Sequence, residues 1–120
     1  MNAVSFLLVG AGGAVGSMLR YAVALFAVNK LIPYHTFIVN IIGSLLIGAL
    51  SGWLLKNSIT NDGWKFLATG ICGGFTTFSA LSLEGFEMLQ QQRYIIFIAY
   101  FLLTITAGLC ATLIGFNLTK

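Results

Sequence analysis

The chain has 120 residues, 58% of them hydrophobic and 8% charged, with a formal net charge of +3. A soluble domain carries about 25% charged residues, so this composition excludes an ordinary soluble fold and points to one small domain that faces lipid. The six Lys and Arg are scattered rather than clustered, which excludes a nucleic-acid footprint.

Four apolar stretches are expected to be helices, at about 3–28, 36–55, 65–89 and 94–117. Each meets the roughly 20 residues that a hydrocarbon core requires. The first has no basic leader and is followed by three equally apolar stretches, so it reads as a span rather than a signal peptide. Lys56, Lys65 and Lys120 fall toward one side, and Lys30 and Arg93 toward the other. So small a bias permits insertion both ways, and two arrangements stay open: an antiparallel dimer, or one orientation set by the first helix.

The first span turns small after Phe6-Leu7-Leu8-Val9, reading Gly10-Ala11-Gly12-Gly13-Ala14-Val15-Gly16-Ser17. Gly12 and Gly16, four apart, form a small-xxx-small packing face. Arg20 follows among apolar neighbours. A charge there costs about 3 kcal/mol on insertion scales, so it anchors the helix at a headgroup, braces a second subunit, or lines a wet vestibule that attracts anions. Pro33, Tyr34 and His35 make the turn into the second span, with Pro33 suited to a helix start. His35 has no second histidine or carboxylate at metal-binding spacing and reads as an interfacial residue.

In the second span Thr36 and Asn40 share one face, with Ser44 a turn further on. A carboxamide left unpaired in hydrocarbon costs a few kcal/mol, so Asn40 must meet a helix, a water or an ion. Trp53 and Lys56 mark the return interface, and Trp64 and Lys65 mark it again. The residues between, Asn57 to Gly63, read as a short polar loop.

The third span holds Gly70-Ile71-Cys72-Gly73-Gly74-Phe75-Thr76-Thr77-Phe78-Ser79. Three glycines and three hydroxyl residues make an unbroken helix unfavourable, and a break is expected between Gly73 and Thr77. A break inside a membrane is tolerated where protein or a watery cavity covers it, and the carbonyls it frees can coordinate a cation. Glu84 and Glu87 lie beyond, approaching the far interface. Glu84 reads as an interfacial acid or a proton-coupling carboxylate. The fourth span places Tyr100, Thr104, Gly108 and Thr112 at i,i+4 spacing, one polar stripe on an apolar helix. These hydroxyls line an ion path or close onto their own i−4 carbonyls. Cys72 and Cys110 read as small buried hydrophobes.

No Ser/His/Asp group and no cluster of paired carboxylates is visible, so the chain is not expected to be an enzyme. Transport or structure remains. Neutral donors and aromatic ring edges would stabilise an anion without trapping it.

The chain resembles the Fluc/CrcB family of small dual-topology fluoride channels. The resemblance runs over essentially all 120 residues. It rests on Gly12-Gly13-Ala14-Val15-Gly16-Ser17-Met18-Leu19-Arg20-Tyr21, on Thr36-Phe37-Ile38-Val39-Asn40-Ile41-Ile42-Gly43, and on the Gly70–Ser79 stretch. It implies an all-α membrane protein of four transmembrane helices, the third broken at mid-membrane, in an antiparallel dimer within the cell membrane. It implies passive fluoride efflux, and a structural sodium ion at the dimer interface held by backbone carbonyls at Gly73 and Thr76. Along the fluoride route it places Thr36, Asn40, Phe78, Ser79, Leu81, Tyr100, Thr104 and Thr112, with Arg20 as the basic residue of the first helix.

Two departures stand out. Where the family usually continues Ser-Thr-Phe, this chain reads Ser79-Ala80-Leu81, so the second pore phenylalanine is a leucine. Gly108 also stands where a hydroxyl is common. A homodimer with a reduced aromatic set and a heterodimer with a related subunit are both open. Two rival functions remain beside the channel: a proton-coupled cation or multidrug exporter, which would usually carry a glutamate in its first helix, and a non-transporting assembly protein.

Overall fold

A computed structural model describes residues 2–26 and 34–120; the turn read at Lys30 and Pro33 lies outside them. Five helical segments make four spans: α1 (Ala3–Phe26), α2 (Tyr34–Leu55), α3 (residues 61–75), α4 (Phe78–Gln90) and α5 (Tyr94–Thr119). The third span, Asn61–Gln90, is α3 and α4 in succession. All four spans are long and apolar enough to cross a membrane, and the 47 Å long axis exceeds the about 30 Å of a hydrocarbon core. Leucine, isoleucine and phenylalanine side chains cover the outside, as a lipid-facing surface requires.

The helix stops are built by local chemistry. After α2, Asn57 takes a left-handed φ of 58°, the Ser58 amide donates to Trp53 O at 2.8 Å, and the Asn57 amide to Leu54 O at 3.1 Å. After α4, Gln92 repeats this, with the Arg93 amide on Met88 O at 2.9 Å and the Gln92 amide on Leu89 O at 3.0 Å. Both are Schellman closures, which satisfy the last carbonyls of a helix. The third span starts at Asn61, earlier than the expected 65, because Thr60 caps it: its Oγ1 accepts the Gly63 amide at 3.0 Å. Much of the expected loop is therefore helix. The fourth span runs on to Thr119, whose hydroxyl donates to Ala49 O at 2.7 Å and so ties its last turn to α2.

The spans pack as two parallel pairs. In the first, α1 lies along α3 at glycine contacts. A methyl group on Gly16 would stand 2.2 Å from Ile71 O, and one on Gly74 would stand 2.4 Å from Gly13 O. In the second, α2 lies along α5. A methyl on Gly48 would stand 2.1 Å from Thr112 O, and one on Gly115 would stand 2.1 Å from Leu45 O. Only hydrogen fits at these positions, so the backbones touch, as small-residue packing in lipid demands. One apolar cluster, Leu50, Ala68 and Cys72, joins α2 to α3. Another, Leu81, Met88 and Tyr100, joins α4 to α5.

The third span breaks within the expected window. Lys65–Cys72 is wound as π-helix and Gly73–Phe75 returns to α-helix. Thr76 and Thr77 are then extended, at φ −85°, ψ 157° and φ −151°, ψ 120°. The glycines themselves stay helical, and the hydroxyl residues carry the break.

Candidate functional site

The site is assembled around the two extended residues. In a continuous helix the Thr77 amide would donate to Gly73 O. Here it donates to Asn40 Oδ1 at 2.8 Å, while Asn40 Nδ2 donates to Thr77 O at 3.2 Å. One carboxamide thus satisfies both backbone groups of Thr77 and clips α2 to the break. The reciprocal pairing fixes which way the amide faces and leaves Asn40 one further N–H. Thr77 Oγ1 accepts the Ala80 amide at 3.1 Å and opens α4 as its cap, with Ser79 Oγ 3.2 Å away. Thr76 Oγ1 turns back to Cys72 O at 2.9 Å. Arg20 Nε donates to Gly74 O at 3.0 Å, so the guanidinium of α1 takes up a carbonyl at the end of α3. Positive charge at a helix C-terminus is favourable, and this contact lies within one protomer.

These diversions free two carbonyls. The amides that a continuous helix would bring to Gly73 O and Thr76 O, those of Thr77 and Ala80, are bonded elsewhere. Gly73 and Thr76 both line an open cleft of about 260 Å³, together with Asn40, Ser44 and Thr69. Among the described residues no group of three or more His, Cys, Asp and Glu could hold a metal.

One turn before Asn40, Thr36 is fully buried and donates to Glu84 Oε2 at 2.7 Å. Tyr100 donates to Glu84 Oε1 at 3.0 Å, and His35 Nε2 lies 3.7 Å from Glu84 Oε2. Glu84 is therefore the hub of a polar group spanning α2, α4 and α5. Sequence reasoning left its partner unnamed. The available signal was that a carboxylate within an apolar span needs donors from its neighbours. His35, read as interfacial, faces this hub. A recess of about 140 Å³ beside it is lined by Arg20, Tyr21, His35, Thr36 and Thr77, so two basic side chains and three hydroxyl residues share one hollow.

The remaining expected residues divide three ways. Thr104 is buried between helices, and its Oγ1 has no hydrogen-bond partner among the described residues. Thr112 donates to its own i−4 carbonyl, Gly108 O, at 3.1 Å. Leu81 is buried against Met88 and Tyr100, whereas Phe78 stands 76% exposed on the outside of the protomer and Ser79 is also exposed. The structure thus joins Thr36 and Tyr100 through Glu84 where α2 meets α5, places Asn40 on the break, and leaves the Phe78 ring exposed. Cys72 is buried, and Cys110 is exposed on the outer face of α5 rather than buried as expected.

Comparison with known proteins bears on what this site serves. Residues 7–116 match the family model described as CrcB-like protein, Camphor Resistance (CrcB). The chain belongs to the CrcB family. Among its relatives in that family, the fluoride-specific ion channel FluC of Azobacteroides pseudotrichonymphae is 44% identical over 117 residues, covering 94% of each chain. That of Flavobacterium psychrophilum is 44% identical over 114 residues, covering 91% of each. The fluoride-specific ion channel FluC 1 of Listeria innocua is 39% identical over 119 residues, covering 96% of this chain and 97% of its own. As a CrcB-family protein the chain is a multi-pass membrane protein without catalytic chemistry.

Proposed function

We propose that this protein is a fluoride-selective channel of the cell membrane, letting fluoride leave passively and so limiting its toxicity. The observation that carries the reading is Asn40. Its carboxamide spends one N–H and its oxygen on Thr77 and keeps a second N–H beside the cleft that it lines with Ser44 and Thr76. A small, strongly hydrated anion gives up water only where several donors replace it. A neutral amide and hydroxyls supply them without the deep well that a fixed charge would make. Thr36 and Tyr100 already donate to Glu84, so at that end the carboxylate sets their direction.

Two subunits are part of the reading. A phenylalanine 76% exposed beside the break suits a ring that completes a route in a partner, and the cleft with the free Gly73 and Thr76 carbonyls suits the face where antiparallel copies meet. A sodium ion there would be held by those carbonyls and would supply a fixed charge to brace the interface. Whether the partner is a second copy or a related subunit turns on Leu81, which packs inside its own protomer.

Fluoride-electrode recording from liposomes tests this. Purified protein is expected to release fluoride, not chloride, with a rate independent of an imposed pH gradient. A rate that follows the pH gradient would support the proton-coupled exporter instead, and no release above protein-free vesicles would contradict transport. Adding a related subunit should raise the rate if the functional pair is mixed.

A further inference from the structure

The stripe on α5 carries a hydroxyl at Tyr100, Thr104 and Thr112 but none at Gly108. A gap of one residue leaves about two helical turns, some 12 Å by the 1.5 Å rise per residue, between the hydroxyls on either side. The seam is nevertheless not bare at that level. A methyl group built on Gly108 would lie 3.5 Å from Ser44 Oγ, an ordinary contact distance. Ser44 of α2 therefore reaches the spot where a side chain at 108 would begin.

Two further observations concern the same place. Hydroxyls in membrane helices commonly close onto the carbonyl one turn back. Thr76 does so at 2.9 Å and Thr112 at 3.1 Å. Ser44 does not: it makes no hydrogen bond among the described residues, and it lines the open cleft with Asn40. Its hydroxyl is left available. The second observation is Thr104 Oγ1, buried and without a hydrogen-bond partner among the described residues. Register puts it next to this point. Thr36 and Tyr100 meet at Glu84, and Ser44 and Gly108 meet two turns on. By register Asn40 and Thr104 occupy the turn between on their two helices, with the Asn40 carboxamide on Thr77.

We propose that Ser44 supplies from α2 the hydroxyl that α5 lacks at Gly108, so that the anion leaving Asn40 and Thr104 is handed to a donor on the opposite helix. The assignment rests on the transport reading above and adds a residue to it. The rotating Ser44 O–H donates to the anion, and Gly108 gives it room to do so. With Tyr100 donating to Glu84 and Thr112 to Gly108 O, Ser44 extends the available donors beyond Asn40 and Thr104 within one subunit.

The test is fluoride-electrode efflux from liposomes holding the full-length wild type, Ser44→Ala, Ser44→Thr, and the double variant Ser44→Ala with Gly108→Ser. Ser44→Ala is expected to slow initial fluoride release about tenfold or more, corresponding to about 1.4 kcal/mol. Ser44→Thr, which keeps the hydroxyl, should stay within about threefold of wild type. The double variant returns a hydroxyl to the gap from α5 and should recover most of the lost rate. Size-exclusion profiles establish that each variant assembles as wild type does. Should Ser44→Ala fail to assemble, Ser44→Cys replaces it as a near-isosteric weak donor, with a reduced rate expected. Wild-type rates in Ser44→Ala (or Ser44→Cys in its place), or a double variant as slow as the single one, overturn the assignment while leaving the channel reading intact. A wild type that releases no fluoride overturns both.

Discussion

The two parallel helix pairs use the same packing device and put it to different ends. Along α1 and α3, glycine meets backbone from Gly12 to Gly16, and the seam closes with Arg20 on the Gly74 carbonyl. Along α2 and α5, glycine meets backbone only in the second half, at Gly48, Gly52 and Gly115. The first half holds Thr36, Asn40, Tyr100 and Thr104, with the Glu84 carboxylate drawn in from α4. The first pair is a fixed support for the break. The second is tight at one end and polar at the other. Glycine content therefore marks where helices touch, while an unsatisfied hydroxyl such as that of Thr104 marks where something else must be accommodated.

The contrast can be broken most severely in the support. Gly16→Val places a branched side chain where even one methyl stands 2.2 Å from Ile71 O. Overpacking against backbone cannot be relieved by a rotamer change, and a loss of about 3 kcal/mol or more is expected. Thermal denaturation followed by loss of the size-exclusion peak should show it as failure to assemble. Gly48→Ala tests the tight half of the other seam, where the new methyl would stand 2.1 Å from Thr112 O. The expected loss is about 1–3 kcal/mol, seen as a lower midpoint in the same assay.

A smaller effect is expected at the polar end. Thr36→Val leaves Glu84 Oε2 without its 2.7 Å donor. Removing one partner of a charged, half-buried group costs about 1–3 kcal/mol, and the lowered denaturation midpoint should be matched by slower fluoride efflux. The smallest effect should come from Gly10→Ala. This glycine sits on α1 two residues before Gly12, and nothing lies within 4 Å of a methyl placed there. Helix propensity alone then applies, raising stability by up to about 1 kcal/mol. A midpoint that falls instead would show that α1 is covered by something on that face.

Much of this arrangement was legible in the residues. Apolar length gave the four spans, and the Gly12–Gly16 spacing gave the packing face on α1. The density of Gly and Thr from Gly70 to Ser79 located the break. It did not say which of them would leave the helix. Gly70 and Gly74 stayed helical because their lack of a Cβ is used for contact with α1, and the chain opened at Thr77 because Asn40 offers its backbone an alternative partner. That choice depends on α2 lying alongside, which no local pattern encodes. The Glu84 hub was hidden for the same reason: His35, Thr36 and Tyr100 are 49, 48 and 16 residues away from it in the chain. The start at Asn61 was missed because Thr60 and Asp62 were read as loop polarity rather than as a cap and a first-turn acid.

The central claim is that the Asn40 carboxamide both clips the broken span and offers a donor to the passing anion. The direct measurement is the initial rate of fluoride release from liposomes, wild type against Asn40→Leu at matched protein and matched size-exclusion profile. The account predicts rapid release from the wild type and a fall of about 100-fold or more in the variant, the effect of losing about 2.7 kcal/mol or more. Equal rates in the two would contradict it.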